Sequence, residues 1–90
     1  MTITVTMSDL LKRLTGQSEP ITMNANTPLE CAELLVAQFP VLEKWLFNEN
    51  RKLKSLVWLL VNDERINEDD FIMALNDGDR LHLLVAVLGG

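Results

Sequence analysis

The residues best suited to chemistry are Gly89 and Gly90, which close the printed sequence directly after an apolar run at residues 81–88. Glycine has no β-carbon, so a chain end built from two glycines can enter a narrow channel and present its last carbonyl group unshielded. A terminal carboxyl group is ionised near neutral pH and can attack a phosphate. We therefore expect the carboxylate of Gly90 to be the reactive group, with a frayed tail that has no role as the simpler alternative.

Two further side chains could take part in chemistry. His82 has no second histidine, cysteine or suitably spaced carboxylate near it in the sequence, so we expect a surface or interface histidine and no metal site. Cys31 lies in the first turn of a predicted helix, a place where a thiol pKa can fall. A small, partly buried helix residue is the simpler interpretation of this cysteine, and a single cysteine excludes an internal disulfide.

Charge and composition narrow the classes of partner. The chain has 90 residues with 13 acidic and eight basic side chains, and its formal net charge is −5. Binding to nucleic acid or to an anionic membrane needs a basic face, so we expect neither and expect instead a partner protein with a basic groove. Six acidic residues could face such a groove or could simply be solvated, namely Glu64, Glu68, Asp69, Asp70, Asp77 and Asp79.

Length and hydropathy predict a small intracellular domain. A chain of this size buries one modest core and leaves little room for a catalytic cleft. Met1 leads into an alternating segment rather than a signal peptide, and the longest apolar run is far shorter than the roughly 20 residues that span a bilayer. We therefore expect a single domain over residues 1–90, with a cytoplasmic location.

The first third of the chain predicts two strands. Apolar and polar residues alternate over Thr2–Met7, which is the period of a half-buried strand. Leucines punctuate the polar residues 10–14, where we expect one irregular turn leading to Gly16. Residues 21–23 alternate again after Pro20, so a short edge strand should pair back onto the first strand.

The best-specified boundary is a helix start at Thr27-Pro28-Leu29-Glu30. The threonine can cap the helix, the proline suits the first helical position, and the glutamate three residues after the cap completes a capping box. The helix should end near Phe39, because Pro40 disfavours helical geometry in the residue before it and can itself open a second short helical turn. The predicted inward stripe of the helix is Leu29, Ala32, Val36 and Phe39, with Leu35 beside it. In the second turn, the residues expected to share one side are Val41, Leu42, Trp45 and Leu46.

The second half of the chain predicts three strands joined by turns. Residues 56–61 are consecutively apolar and too few for a buried helix of usual length, which indicates a strand from the middle of the sheet. Asn62 and Asp63 tolerate positive φ and can form a tight hairpin to a brief strand at residues 64–66. The other predicted segments are a turn packed under the sheet at residues 71–75, a turn at residues 76–79 and a last strand at residues 80–87.

The two long C-terminal strands predict an apolar patch on the outer face of the sheet. If their odd-numbered residues point into the core, their even-numbered residues point outward. The outward residues of interest, called the outer patch below, are Trp58, Leu60, His82 and Leu84. An exposed apolar surface that contains tryptophan is typical of a docking site for a partner protein. The alternatives are that the faces are reversed or that the loop before the last strand covers the patch.

The order of the elements resembles the ubiquitin-like β-grasp fold, an α+β arrangement in which a mixed sheet of four to five strands packs on one main helix. Leu10-Leu11-Lys12-Arg13-Leu14-Thr15-Gly16 looks like the leucine-rich turn of the molybdopterin synthase small subunit and of related sulfur carriers, including those of the thiamine pathway. Val61-Asn62 followed by Ile66 resembles their third hairpin. Leu75-Asn76-Asp77-Gly78-Asp79-Arg80-Leu81, one strand before Leu88-Gly89-Gly90, resembles their closing signature.

Two positions depart from the family pattern. Asp63 stands where the family usually has glycine after the asparagine, and Leu88 stands where a smaller residue usually precedes the diglycine. The first departure bears on the geometry of the hairpin. The second bears on the fit of the tail in a partner's channel.

The resemblance implies that an adenylating enzyme of the ubiquitin-activating type activates the Gly90 carboxylate with ATP and Mg²⁺. Sulfur from a cysteine desulfurase or a rhodanese-like donor then displaces AMP and leaves a C-terminal thiocarboxylate. The chain itself would bind no cofactor and would be a carrier rather than an enzyme, working with a large synthase subunit in molybdenum or tungsten cofactor biosynthesis. By the same resemblance, Gly89 gives clearance, and Val87 and Leu88 hold the arm extended in a flexible tail at residues 87–90.

Two other kinds of function stay open on the sequence. The same activation could join Gly90 to a lysine of another protein, as in a ubiquitin-like modifier, or could deliver sulfur to thiamine, cysteine or tRNA. A plain interaction module that uses only the outer patch is an alternative from a different class of protein.

Overall fold

A five-stranded mixed sheet is the frame of the fold in the computed structural model, which describes residues 1–86. The strands are β1 (Thr2–Met7), β2 (Ile21–Asn24), β3 (Val57–Val61), β4 (Glu64–Arg65) and β5 (Arg80–Val85). Their order across the sheet is β2-β1-β5-β3-β4, with β1 and β5 parallel and the other neighbours antiparallel. The strand nearest the C-terminus therefore lies at the centre of the sheet.

The described residues also form three helices, of which one is dominant. These are α1 (Asp9–Thr15), α2 (Pro28–Gln38) and α3 (Glu43–Leu46), with 3₁₀ turns at Pro40–Leu42 and Glu68–Asp70. A mixed sheet with one main helix is the α+β arrangement that the sequence predicts, and this prediction is confirmed.

The core lies under one face of the sheet and follows the alternation of the strands. In β3, for example, Leu59 is fully buried while its neighbours Trp58 and Leu60 are half-exposed. Burying a side chain of this size stabilises the fold by about 1.5–3 kcal/mol. The buried strand residues are Ile3, Val5 and Met7 in β1, Val57 and Leu59 in β3, and Leu81 and Leu83 in β5.

Helix α1 replaces the irregular turn that the sequence predicted, so this prediction was wrong. Leu11 is fully buried and Leu14 packs half-buried against the same core, which anchors the segment as a helix. The helix stops at Gly16, whose φ of 73° is left-handed and whose N–H donates to the Lys12 carbonyl oxygen at 2.8 Å. Glycine takes this conformation without steric penalty, so the same residue that suggested a loop is the C-terminal cap of a helix.

The start of α2 confirms the predicted cap, with one change of partner. The Thr27 hydroxyl oxygen accepts from the Glu30 N–H at 3.1 Å. The Glu30 carboxylate accepts in return from the N–H of Asn26, at 2.7 Å, rather than from that of Thr27. The helix ends at Gln38, directly before Phe39 and Pro40, as predicted.

The buried face of α2 is rotated relative to the predicted stripe. Its buried residues are Pro28, Cys31, Ala32 and Leu35, whereas Leu29, Val36 and Phe39 are half-buried. Of the predicted stripe only Ala32 is buried and the other three residues lie at the edge of the face, while Cys31 and Leu35 hold its centre. Val41 does not share the side of Leu42 and Leu46 as predicted: it is exposed while they are buried, because the tight 3₁₀ turn at Pro40–Leu42 directs Leu42 into the core.

Two other boundaries differ from the prediction. Strand β3 begins at Val57, and Leu56 before it is 46% exposed. In residues 71–75 the side chains alternate, so Leu75 is buried while Ile72 is 72% exposed and Ala74 is exposed. Residues 71–73 form the predicted turn, in which the Met73 N–H donates to the Asp70 carbonyl oxygen at 3.1 Å. The inward packing expected of Ile72 and Ala74 is wrong, because the segment is fixed to the core by Leu75, whose N–H donates to the Asn26 carbonyl oxygen at 2.9 Å.

The Asp79 carboxylate fixes the turn at residues 76–79, within the segment that resembles the family's closing signature. Its two oxygens accept from the Asn62 side-chain amide at 3.0 Å and from the Asn76 N–H at 2.8 Å. Asn62 also accepts from the Arg80 N–H at 3.0 Å, so the turn at residues 76–79 and the hairpin at residues 62–63 are joined. Asn62 and Asp63 have φ of 50° and 74°, which confirms the predicted positive-φ hairpin even with aspartate at its second position.

This network predicts an acid-sensitive contribution to stability. The Asn62 amide, followed by the Asn76 N–H, lowers the pKa of Asp79 below its ordinary value. The contribution is therefore fully present above the ordinary aspartate pKa and is lost as the pH falls through the lower, folded-state pKa. We expect Asp79→Asn to reduce the free energy of unfolding by about 1 kcal/mol at pH 7.

Urea denaturation at pH 7 and in a series below pH 4 checks this expectation, since aspartate titrates near about 3.9 when unperturbed. The gap between wild type and Asp79→Asn should narrow as the pH falls, because the protonated carboxyl resembles the amide. Asp69→Asn, in the exposed 3₁₀ turn, is the matched control and should show no such gap. A gap for Asp79→Asn that stays constant over the whole series would contradict the assignment.

Candidate functional site

Strand β5 carries the chain towards its diglycine through the centre of the sheet. Val85 pairs with Val57, and the Ala86 N–H donates to the Leu56 carbonyl oxygen at 2.7 Å. The backbone is thus held in the sheet up to Ala86, at the end where β3 begins. The predicted tail residues Val87, Leu88, Gly89 and Gly90 lie outside the described residues.

A groove of about 600 Å³ opens beside this point. Trp45, Leu56 and Val85 supply apolar walls, and Lys54 brings a positive charge. The indole Nε1 of Trp45 is buried and has no hydrogen-bond partner within residues 1–86. A partner that receives Gly90 must come close to this groove, because four extended residues reach at most about 14 Å.

The outer patch is one continuous surface on the exposed side of β3 and β5. Trp58 lies opposite Leu84, and Leu60 lies opposite His82. All four side chains are partly exposed. The residue between Trp58 and Leu60 on β3, Leu59, is buried, and so is Leu83 between His82 and Leu84 on β5. The structure therefore brings together the four residues that the alternation placed on one face, and the loop before β5 leaves them accessible.

The surroundings of His82 in this patch favour its neutral form. Its Nδ1 lies 2.7 Å from the Thr6 hydroxyl oxygen on the neighbouring strand β1. Partial burial, followed by the positive charge of Lys12, lowers the pKa of His82, while Asp63 opposes this shift. A neutral imidazole bonded to a hydroxyl is suited to a contact surface rather than to a charged interaction near neutral pH.

Arg65 is part of the same surface and was not singled out in the sequence. Its guanidinium carbon lies 3.7 Å from the centre of the Trp58 ring, a cation–π contact. The sequence feature that could have identified Arg65 is the two-residue turn at residues 62–63. This turn pairs Leu60 with Arg65 and makes Trp58 the diagonal neighbour of Arg65. The predicted apolar patch thus has a cationic edge.

Cys31 is fully buried in the core rather than partly buried as expected. Burial, followed by the charge of Glu30, raises the pKa of the Cys31 thiol to about 11. The thiolate is the reactive form of cysteine, so its position in the first turn of α2 does not make this residue a sulfur-handling nucleophile.

We expect Cys31 to resist alkylation in the folded protein. A pKa rise from 9.0 to about 11 lowers the thiolate fraction about a hundredfold at pH 8. Iodoacetamide should therefore modify the native chain at least about a hundred times more slowly than the chain in denaturing urea, as followed by intact mass. Similar rates in the two conditions would contradict the buried position.

The six acidic residues considered for a basic partner have different surroundings. Asp79 belongs to the turn network, and Asp77 accepts from the Thr2 N–H at 2.7 Å. The other four, Glu64, Glu68, Asp69 and Asp70, are exposed on β4 and the following 3₁₀ turn. Two of the six thus serve the fold, which reduces the acidic surface left for a partner.

Two other kinds of site are absent from residues 1–86. In this part of the chain, the helices are too short or too polar to cross a membrane. Nor do His, Cys, Asp and Glu side chains come together there in a group of three or more that could hold a metal ion.

Comparison with known proteins gives structural relatives only. No family model matches the chain, and no curated protein matches it in sequence. The crystal structure of SAMP1 from Haloferax volcanii superposes with a TM-score of 0.86 at 24% identity, covering 100% of both chains. A chain of the BexX/CysO complex from Amycolatopsis orientalis gives a TM-score of 0.80 at 28% identity, covering 98% of this chain and 99% of that one.

A third relative comes from a different assembly. A chain of the complex between subunits 1 and 2 of molybdopterin-converting factor from Helicobacter pylori 26695 gives a TM-score of 0.65 at 24% identity, covering 100% of both chains. The three superpositions cover 98–100% of this chain. The resemblance predicted from the motifs is thereby confirmed: this chain is a ubiquitin-like β-grasp protein with the fold of SAMP1, CysO and the molybdopterin-converting factor chain.

Proposed function

We propose that this chain is a sulfur carrier whose Gly90 carboxylate is adenylated by a partner enzyme and then converted to a thiocarboxylate. The observation that carries the proposal is the position of β5, which is central in the sheet and hydrogen-bonded up to Ala86, directly before Val87-Leu88-Gly89-Gly90. Strand β5 is paired with both β1 and β3 over residues 81–83 and with β3 alone at Val85, and this pairing gives the base of the segment a fixed direction. The partner therefore receives the chain end from a rigid support.

The chemistry proceeds in balanced steps. A Gly90 carboxylate oxygen attacks the α-phosphorus of Mg²⁺-bound ATP, and pyrophosphate leaves to give an acyl adenylate. A persulfide on the sulfur donor attacks the carbonyl carbon and expels AMP, which forms an acyl disulfide. A thiol then cleaves the sulfur–sulfur bond, releasing the thiocarboxylate and leaving a disulfide on the donor.

The catalytic groups for these steps belong to partners in this proposal. His82 is bonded to Thr6 in surroundings that favour its neutral form, and the Cys31 thiol is buried with a raised pKa. The chain acts as a carrier and co-substrate, and an adenylating enzyme of the ubiquitin-activating type supplies the ATP site and its Mg²⁺.

We propose further that the sulfur passes to a large synthase subunit in molybdopterin biosynthesis. The relative from Helicobacter pylori supports this recipient, because its structure is a complex of subunits 1 and 2 of molybdopterin-converting factor. The outer patch, with Trp58, Leu60, His82 and Leu84, and the nearby groove offer the apolar surface that such a partner would cover.

A second candidate is a protein modifier joined through Gly90 to a lysine of another protein. The structures named small archaeal modifier protein 1 favour it, because the one from Methanosarcina acetivorans also gives a TM-score of 0.86, at 19% identity. A likeness at this identity concerns the fold, so the two candidates have to be separated chemically.

The experiment is a reconstitution with the adenylating enzyme of the same organism, ATP, Mg²⁺ and a persulfide donor. Sulfur carriage predicts that the intact mass rises by the difference between one sulfur and one oxygen atom, and that the change maps to the C-terminal peptide. Modification predicts instead high-mass conjugates that carry Gly90 on lysine. A chain that forms neither an acyl adenylate nor either product contradicts the proposal.

A further inference from the structure

We propose that the outer patch docks a partner surface that is apolar at its centre and carries a carboxylate opposite Arg65. Arg65 stacks on Trp58 and is paired with Leu60, and Leu84 lies opposite Trp58 on the next strand. The proposal concerns the chemistry of the docking partner and reverses the expectation of a basic groove. It rests on the proposed function only in taking the adenylating enzyme as the partner to be tested.

The charges on the outer face of the strands are all positive. The register places Arg65 beside Leu60, and Arg80 shares the outward side of β5 with His82 and Leu84. Glu64, the acidic strand residue of β4, is paired with Val61 and so projects to the opposite side. The net charge of −5 is therefore carried by other surfaces of the chain.

The two outward arginines differ in what they bind. The Arg80 guanidinium donates to the Asp63 carboxylate at 3.1 Å, which is the ion pair found among the described residues. The Arg65 side chain has no hydrogen bond or ion pair within residues 1–86, where its described contact is the Trp58 ring. Stacking occupies the face of the guanidinium and leaves the N–H groups at its edge free to donate.

A guanidinium held in this way is prepared for a carboxylate. Its planar set of donors matches the two oxygens of a carboxylate, and the ring beneath it limits the side-chain freedom that binding would otherwise remove. Tryptophan and arginine are the residue types that dominate binding energy at protein interfaces. The apolar side chains Leu60 and Leu84 lie beside this pair and define the centre of the contact.

The overall negative charge does not prevent such an approach. Exposed charges are screened over about 8 Å at physiological ionic strength, so local charges decide the final contact. Within the outer patch those charges are Arg65 and Arg80, with Lys12 close enough to His82 to lower its pKa. Asp63 is the acidic side chain that faces this region, and it is paired with Arg80.

The test measures binding of the full-length chain to the adenylating enzyme of the same organism by isothermal titration calorimetry, without ATP. Arg65→Glu should weaken binding at least about tenfold, because it places like charges opposite each other. Arg65→Lys should lose less, since it keeps the charge but not the planar donor set. Arg51→Glu makes the same chemical change at an exposed residue beside Glu33 and Val36 of α2, on the helix side of the sheet, and should alter binding less than about twofold.

The remaining readouts exclude a merely structural effect and keep the two proposals separate. Arg65→Glu should stay folded with only a small fall in its unfolding temperature, because it loses one exposed cation–π contact. Raising the salt concentration should weaken wild-type binding more than that of Arg65→Gln. Unchanged or tighter binding of Arg65→Glu overturns the inference, as does failure of the wild-type chain to bind. A wild-type chain that binds in the predicted way but is not adenylated when ATP is added overturns the proposed function alone.

Discussion

Deleting Gly90 should abolish adenylation while leaving the folded body unchanged. Removal of one residue draws the carboxylate back by about 3.5 Å, whereas a displacement of about 1 Å can already cost a hundredfold in rate. We therefore expect the kcat/KM of adenylation to fall at least about a hundredfold, a loss measurable by ATP–pyrophosphate exchange. Stability should not change, because the last described ladder bond, from Ala86 to Leu56, precedes the deletion.

Two companion variants separate the position of the carboxylate from its presence. An alanine appended after Gly90 keeps every native residue but moves the carboxylate outward, and a Gly90 carboxamide keeps the length but removes the nucleophilic oxygen. Both should be inactive while their thermal unfolding matches that of the wild type. Normal exchange by the extended chain, with no trimming seen by mass, would contradict a mechanism based on the chain end.

The largest effect on stability should come from Leu59→Ala. Leu59 is fully buried on the inner face of β3, whereas its neighbours Trp58 and Leu60 face the other side of the sheet. Truncation of a buried leucine costs about 2–5 kcal/mol through lost contacts and the cavity left behind. A domain of this size has a total stability of only about 5–13 kcal/mol, so a large share would be lost. The measurement is the free energy of unfolding from urea denaturation.

Leu60→Ala is the matched control, since it makes the same chemical change one residue further along the same strand. Leu60 is half-exposed on the outer patch, so we expect a loss below about 1 kcal/mol, together with weaker binding to the adenylating enzyme. Equal destabilisation by the two substitutions would mean that the inner and outer faces of β3 are wrongly assigned.

Local signals made most of the fold predictable. The alternation in Thr2–Met7, the cap at Thr27 with Glu30, and the tight turn at Asn62 are decided by residues close together in the chain, and the structure confirms each. The outward placement of Trp58 and His82 followed from the same alternation. Such signals survive because the tertiary contacts reinforce the local preference.

The errors arose where long-range packing decided the outcome. The segment that became α1 is helical because Leu11 is buried in a core built largely from distant strands. The rotation of α2 that buries Cys31 depends on where the sheet lies, which the helix sequence does not encode. The contact between Arg65 and Trp58 could be predicted only from the register of the hairpin. That register pairs Leu60 with Arg65 and so makes Trp58 the diagonal neighbour of Arg65.

The parallel pairing of β1 with β5 has a kinetic consequence. Thr6 and His82, bonded across these strands, are 76 positions apart, so pairing the strands closes a loop of nearly the whole chain. The entropy of that loop is lost before most of the stabilising contacts have formed. Proteins dominated by such distant contacts fold in about milliseconds to seconds rather than microseconds. We therefore infer that assembly of the two central strands limits the folding rate.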